Sequence, residues 1–486
     1  MRAIQQQEGL GSTGCPWGSR DARRILKMSL ALIVVTVFML FFLLLMSAVP
    51  VAFCLGVSGG IGIWLLDGQE VMSASLASIP LTSSARYGLV VLPMFILMGV
   101  LLAETGIARD LYRTAERSVG RLPGGLAGAT VFACTIFGGV SGSSTADAAT
   151  IGRISIEEMR RNGYRPEYAA AVVAAAGTIA VLIPPSIILI MYGVITGESV
   201  GALLLAGLVP GCMMGLAFFA YAVTVGLRGR DRALSVHTSQ LPASERHAGN
   251  GATRSRNRGD GEKNSLTNYL SLLYALVLFG VVLGGIYLGV FTSTEASAVG
   301  AATALALGVI AIRSPTRSLE MLRTAVPHAV STVGMIFAIL LGGTIFTYFL
   351  ISAGVPASFT TWILEMELPS ELVVIMLLAT LIPLGMFLDG LSMMLVTVPL
   401  SYPVVTALGY DGVWFGVLVC VLIEVGLLTP PVGLNVFVIS GLPGAPRAEQ
   451  IFVQVLPFVL IQLLLVALFM LFPDLVTWLP SRAQST

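Results

Sequence analysis

Two apolar stretches of this chain repeat one another at a constant offset of 246 residues. Gly139 pairs with Gly385, Gly163-Tyr164 with Gly409-Tyr410, and Pro184-Pro185 with Pro430-Pro431. Each unit therefore holds a glycine-marked apolar segment, a Gly-Tyr loop, and a tandem-proline break at the same distance beyond the tyrosine. Proline removes a backbone donor, so each break frees carbonyl groups inside hydrophobic sequence. Non-helical backbone survives at bilayer depth only where protein buries it or a polar cavity takes it up. Matching Gly/Pro interruptions in two halves of a membrane chain point to the binding region of a transporter.

Composition supports a membrane location. Hydrophobic residues make up 56% of the 486 and charged residues 11%, and the mean hydropathy is +0.90. An ordinary soluble domain has about 25% charged residues. Apolar runs lie at about 51–66, 88–104, 126–151, 168–195 and 200–227, then at 268–290, 296–312, 326–352, 372–408, 413–441 and 452–479, after a first run from Met28 to Ala48. Several exceed the roughly 20 residues that one span requires and are interrupted by Gly or Pro. These read as hairpins or broken helices, so the expected fold is an all-α polytopic membrane protein built from two repeats.

The domain reading follows. Residues 1–27 are a polar extension, with Met28 an alternative start; 28–227 form the first transmembrane half and 267–486 the second. Between them, 228–266 is a hydrophilic linker with eight basic and four acidic residues. That excess places it in the cytoplasm. The loop near Gly163 carries Arg153, Arg160, Arg161 and Arg165, whereas its counterpart at 399–413 has no Lys or Arg. The asymmetry predicts that the repeats are inverted across the membrane.

Three groups of residues can carry chemistry. In Phe137–Asp147, the hydroxyls of Ser141, Ser143, Ser144 and Thr145, next to Gly142, offer oxygen ligands to a hard cation. Close packing of small residues is the structural alternative. Asp147 follows as an intramembrane acid, functional by default. In Gly385–Asp389 the acid aligns with Ser143, and Asp389 can either bind a cation or cap a broken helix. Around the tandem prolines, Pro184, Pro185 and Ser186 match a second set, Thr429, Pro430, Pro431, Gly433 and Asn435. Half-helix ends there would offer dipole ends to an anion and carbonyls to Na⁺. Glu295 and Glu424 read as further intramembrane acids with packing or hydrogen-bonding roles, and Arg86 as a solvated loop residue.

Other classes find little support. The five cysteines have no CxxC spacing, and two of the three histidines, His237 and His247, fall in the linker. No nucleotide-binding or hydrolase motif occurs, so the chain is not read as an enzyme and ion coupling is the expected energy source. No basic patch on a folded domain suggests nucleic acid. An intramembrane aspartyl protease would need a Gly-x-Gly-Asp motif, whereas Asp389 follows Gly-Met-Phe-Leu. A passive channel fits poorly with breaks in both halves.

The segments FGGVSGSSTADAATIG (137–152), IPPSIILIMYG (183–193), FTSTEASAVGA (291–301), GTIFTYFLISAGVP (343–356), GMFLDGLSMMLVTVPL (385–400) and GLLTPPVGLNVFVISG (426–441) closely resemble one family. It is the large membrane subunit, DctM type, of the tripartite ATP-independent periplasmic (TRAP) transporters. The likeness runs from about Met28 to Pro473, apart from a linker that is longer and more polar than usual for the family. The resemblance implies a multi-pass protein of the bacterial inner membrane that imports organic acids with Na⁺. It implies three-part operation with a periplasmic binding protein (DctP type) and a separate small four-helix membrane subunit (DctQ type). It also implies an elevator mechanism, in which a domain with two re-entrant hairpins moves against a fixed scaffold. By the same resemblance, hairpin tips with the Na⁺ sites fall at Ser141–Thr145 and Thr429–Asn435, with Ser141, Ser143, Ser144, Asp389 and Thr429 as candidate Na⁺ ligands. Gly385–Asp389 and Pro184–Pro185 would be the broken helices beside them. A stand-alone carboxylate or ion transporter of the same superfamily is the alternative.

Overall fold

The computed structural model describes residues 19–120, 122–229 and 263–483, and every regular element among them is helical. In the first half, α1 (Ser19–Met46), α2 (Val51–Ser84), α3 (Val91–Glu104) and α4 (Ile107–Val119) precede α5 (Gly125–Ser141) and α6 (Ser144–Arg161). Then come α7 (Pro166–Gly177), a short 3₁₀ turn at Thr178–Val181, α8 (Ile187–Thr196) and α9 (Val200–Arg228). The second half has α10 (Lys263–Tyr287), α11 (Ser293–Ile312), α12 (Pro315–Ser352), α13 (Val355–Glu365), α14 (Ser370–Gly385) and α15 (Gly390–Ala407). It closes with α16 (Gly412–Leu428), α17 (Leu434–Ser440), α18 (Ala448–Leu471) and α19 (Asp474–Ala483). Among the described residues seven helices are long and apolar enough to cross a membrane, or eight when α3 and α4, bent by 66°, count as one span. Many large apolar side chains on them remain exposed, Leu32, Leu81, Leu464 and Leu471 among them. Such surfaces suit lipid rather than water.

The 246-residue offset holds well beyond the motifs. Ser144 and Arg161, the ends of α6, map onto Gly390 and Ala407, the ends of α15, and Pro166 at the start of α7 maps onto Gly412 at the start of α16. Both tandem-proline bonds are cis. Gly163 and Gly409 follow their helices at φ 84° and 85°, a left-handed turn that Gly makes without a Cβ penalty. The same offset relates α1 to α10 and α9 to α18. Where α2 crosses a non-helical Gly68, the second half breaks outright between α11 and α12. The fold is thus a duplicated helical unit, as the Gly/Pro register requires.

Two boundaries differ from the sequence reading. Arg228 ends α9 and Lys263 begins α10, so the ends of the expected 228–266 linker are helical; residues 230–262 lie outside the described set. At the N-terminus α1 begins at Ser19, ahead of Met28, and residues 1–18 lie outside the described set.

The halves interlock at their cores. Helix α6 packs against α17, with Gly152 facing Ile439 and Leu442, while α15 packs against α8, with Gly390 facing Ile188. Each repeat's post-break helix therefore rests on the helix that leaves the other repeat's tip. Between them, α7 from Tyr168 to Gly177 and α16 from Trp414 to Leu428 are buried on every face. All-round apolar helices of this kind belong at the centre of a bundle. Outside this body, α2 and α12 pack along one another, and Phe346 of α12 meets Phe38 of α1 edge-on with ring centroids 5.5 Å apart.

Candidate functional site

The two interruptions that follow α5 and α14 open onto one cavity of about 590 Å³. Ser141–Ala146 and Asp389–Leu391 form one wall with Ile187 and Ile188 of α8. The opposite wall comes from α3, ending at Glu104, and from His328, Thr332, Met335, Ile336 and Ile339 of α12. The lining mixes hydroxyls and two carboxyl groups with aliphatic surface, and it contains no Lys or Arg. Mostly apolar concavities with a few convergent polar groups are the usual form of a small-molecule site.

The first tip is built from small residues. Helix α5 stops at Ser141, Gly142 turns left-handed at φ 64°, and Ser143 is extended as the N-cap of α6. The Ser141 hydroxyl donates to the Ser143 carbonyl at 3.4 Å, and the Ser143 and Thr145 hydroxyls are 3.3 Å apart. Behind the tip, the Ile187 amide donates to the Gly142 carbonyl at 3.4 Å. That contact holds the first tip on the first proline break. A Cβ on Gly142 would collide with the Pro185 carbonyl.

The second tip has the same shape with different chemistry. Asp389 is the N-cap of α15: its Oδ2 accepts from the Leu391 amide at 3.1 Å and the Ser392 amide at 3.3 Å, and its Oδ1 accepts from the Ser392 hydroxyl. Ser143, its counterpart, makes no side-chain cap bond. Here the backbone approaches closely, since a Cβ on Gly426 of α16 would stand 2.6 Å from the Gly385 Cα.

The breaks themselves lie behind these tips. Pro184, Pro185 and Ser186 are buried, and Ser186 caps α8 by accepting from the Leu189 amide at 3.2 Å. Pro430 and Pro431 are exposed; Thr429 donates to the Val425 carbonyl at 2.6 Å, and Gly433 at φ 57° leads into α17. Asn435 is fully buried beside Glu424. Asp147 is also fully buried, in the first turn of α6 next to the Cys134 thiol, and neither of its carboxyl oxygens has a hydrogen-bond partner.

Of the sequence-derived candidates, Ser141, Gly142, Ser143, Ser144, Thr145 and Asp389 thus share the cavity wall. Asp147, Pro184, Pro185, Ser186, Gly385, Thr429, Pro430, Pro431, Gly433 and Asn435 do not line it. Thr429–Asn435 is not the partner of the first tip. The offset maps Ser141–Thr145 onto Phe387–Leu391, so the second tip is the segment ending at Asp389, and Thr429–Gly433 is the counterpart of the first proline break. Glu295 is exposed and closes a capping box with Thr292 at the start of α11. Arg86 is exposed and donates to the Val194 carbonyl at 3.4 Å. Sequence reasoning missed Glu104, His328 and Thr332. An acid ending one apolar run and a histidine opening another were the available signals.

The chain matches the family described as "Tripartite ATP-independent periplasmic transporter, DctM component" over residues 38–475. It is 33% identical to the C4-dicarboxylate TRAP transporter large permease protein DctM of Pseudomonas aeruginosa, covering 88% of this chain and 92% of that protein. It is 30% identical to the sialic acid TRAP transporter large permease protein SiaM of Vibrio cholerae, over 81% of this chain and 86% of that one. Among solved structures, the Alcanivorax borkumensis YdaH transporter shares the fold at a TM-score of 0.55, with 13% identity over 83% of this chain and 88% of that one.

Proposed function

The chain belongs to the DctM family of TRAP transporter large permease subunits, multi-pass proteins of the inner membrane, and we propose that it imports a small organic acid coupled to Na⁺. The observation that carries this reading is the shared cavity with one hydroxyl-lined tip and one acidic tip. Helix α6 begins at the cavity wall, behind a neutral Ser143 that makes no side-chain cap bond. A carboxylate is favoured at such a helix end. The amides at the start of α15 are instead occupied by Asp389, so that tip repels an anion and attracts a cation. A substrate anion at the first tip and Na⁺ near the second neutralise one another in a medium where isolated charge is costly.

The residues present fit Na⁺, a hard cation that takes oxygen donors. Ser141, Ser143, Ser144, Thr145 and Asp389 supply hydroxyl and carboxyl oxygens on the wall, and Thr429 supplies one at the second break. Bound there, Na⁺ would supply positive charge that raises the affinity for an anionic substrate. Relatives named for C4-dicarboxylate and sialic acid transport support a carboxylate as the substrate class. In this reading the interlocked α5–α8 and α14–α17 form the moving body of an elevator, and α2 with α12 forms the scaffold. The cavity between the tips and α12 supports that division. A small DctQ-type subunit and a DctP-type binding protein complete the transporter.

The test is uptake in proteoliposomes holding the chain with its small subunit and supplied with the binding protein. Replacing Na⁺ by K⁺ at constant membrane potential abolishes uptake if the reading is right. Undiminished uptake in K⁺ contradicts it.

A further inference from the structure

One layer behind the cavity wall, three side chains from both repeats converge. Glu424 of α16 and Asn435 of α17 are fully buried, and Ser144 at the start of α6 is 5% exposed. The Asn435 amide nitrogen donates to Glu424 Oε2 across a long 3.4 Å, and the Ser144 hydroxyl lies beside the same carboxyl group. Glu424 Oε1 and Asn435 Oδ1, both buried, have no hydrogen-bond partner.

Such a cluster is costly as it stands, because a buried carboxylate needs a compensating charge and a buried acceptor needs a donor. Among the described residues no cationic side chain supplies one. Arg153, Arg160 and Arg161 on α6, Arg228 on α9, Arg447 at the start of α18 and Arg482 on α19 are all exposed. The other acids on these packed elements are Asp147, Glu157 and Glu158 on α6, Glu167 on α7, Glu198 after α8, Glu371 on α14, Asp389 before α15, Asp411 before α16, Glu449 on α18 and Asp474 on α19. They add negative charge, not relief. A carboxylate, an amide carbonyl and a hydroxyl together are the donor set of a hard cation.

The repeat sharpens the point. At the 246-residue offset the counterparts of Glu424, Asn435 and Ser144 are Thr178, Leu189 and Gly390. That set has one hydroxyl, and it is satisfied: Thr178 accepts from Gln462 Nε2 at 2.8 Å and donates to the Ala175 carbonyl at 2.6 Å. The duplicated backbone therefore does not require the acidic cluster; it is an addition made in one position only.

We propose that Glu424, Asn435 and Ser144 form a buried site for one Na⁺, behind the cavity wall and joined to it through Ser144, a proposal that rests on the Na⁺-coupled reading above. Because Ser144 belongs to the first tip and the other two flank the second break, an ion there ties the two repeats together.

Thermal unfolding of the purified intact chain in detergent, over a series of NaCl concentrations with choline chloride holding ionic strength, tests this without transport. A ligand that binds only the folded state raises the midpoint as its concentration passes Kd. In the wild type the melting temperature rises with Na⁺. In Glu424→Gln the rise moves to at least tenfold higher Na⁺, and in Thr178→Val it stays where it was. If Glu424→Gln does not fold, Ser144→Ala carries the same expectation. A wild type with no Na⁺-specific rise overturns the Na⁺-coupled reading and this site with it. A wild-type rise that Glu424→Gln or Ser144→Ala reproduces at the same Na⁺ concentration overturns the site alone. A higher melting temperature for Glu424→Gln with an unchanged Na⁺ midpoint assigns the carboxyl a proton instead, and also overturns it.

Discussion

The two tip-and-break units share a backbone and divide the chemistry unequally. In the first, the tip offers hydroxyls, the proline break is buried and neutral, and Ser186 caps the helix that follows. In the second, the tip carries Asp389, the prolines are exposed, and Glu424 and Asn435 sit buried beside the break. Duplication thus supplies two matching frames with freed helix ends, and substitution within the frames places a carboxyl group at one tip and hydroxyls at the other. An anion and a cation can then be held at adjacent, related positions without either frame changing shape.

The largest expected effect comes where the frames allow least adjustment. Gly426 faces the Gly385 backbone, whereas the first half carries Ala180 at the position of Gly426, against Gly138. Gly426→Leu should cost about 3 kcal/mol or more through overpacking against backbone and remove the monodisperse peak in size-exclusion chromatography. Ala180→Gly, by comparison, should remain folded. A well-folded Gly426→Leu protein would show that the second unit is looser than its close backbone approach implies.

Smaller effects separate the polar counterparts. Thr178→Val leaves the Gln462 amide only the weak Met214 sulfur as acceptor, with its Oε1 already lacking a partner, at a cost of about 1–3 kcal/mol. It should lower the melting temperature and leave the Na⁺ dependence of uptake unchanged. Asp389→Ala removes two cap bonds to backbone amides and should cost about 1 kcal/mol in stability. Ser143→Ala removes no cap bond, so its melting temperature should stay near wild type. Equal losses for the last two would erase the difference in capping between the tips.

Much of the helical frame was legible because Gly and Pro act locally. A left-handed turn after a helix and a tandem proline leave their marks in the residues themselves, so Gly163, Gly409 and the two Pro-Pro pairs located the ends of α6, α7, α15 and α16. The shared cavity was half legible: Ser141–Thr145 and Asp389 were found as matched breaks. His328 and Thr332 were not, since they lie inside the long helix α12 and face the tips only after the bundle forms. The crossed packing of α6 on α17 and α15 on α8 left no local sign either. Thr429–Asn435 was placed at a tip by resemblance, although the offset already paired it with the first proline break. Glu295 shows the opposite case. Its Thr292-x-x-Glu295 spacing marks a capping box, a local signal that outranks the reading of Glu295 as an intramembrane acid.

The central claim is that the acidic tip holds the coupling charge, and Asp389→Asn tests it most directly. Asn caps a helix about as well as Asp, so the variant preserves the frame and removes only the charge. With uptake measured against Na⁺ concentration in the reconstituted transporter, the apparent Na⁺ affinity of Asp389→Asn should fall by about tenfold or more, equivalent to about 1.4 kcal/mol, at a melting temperature close to wild type. Wild-type Na⁺ affinity in the Asn variant would contradict the claim and leave Asp389 as a helix cap alone.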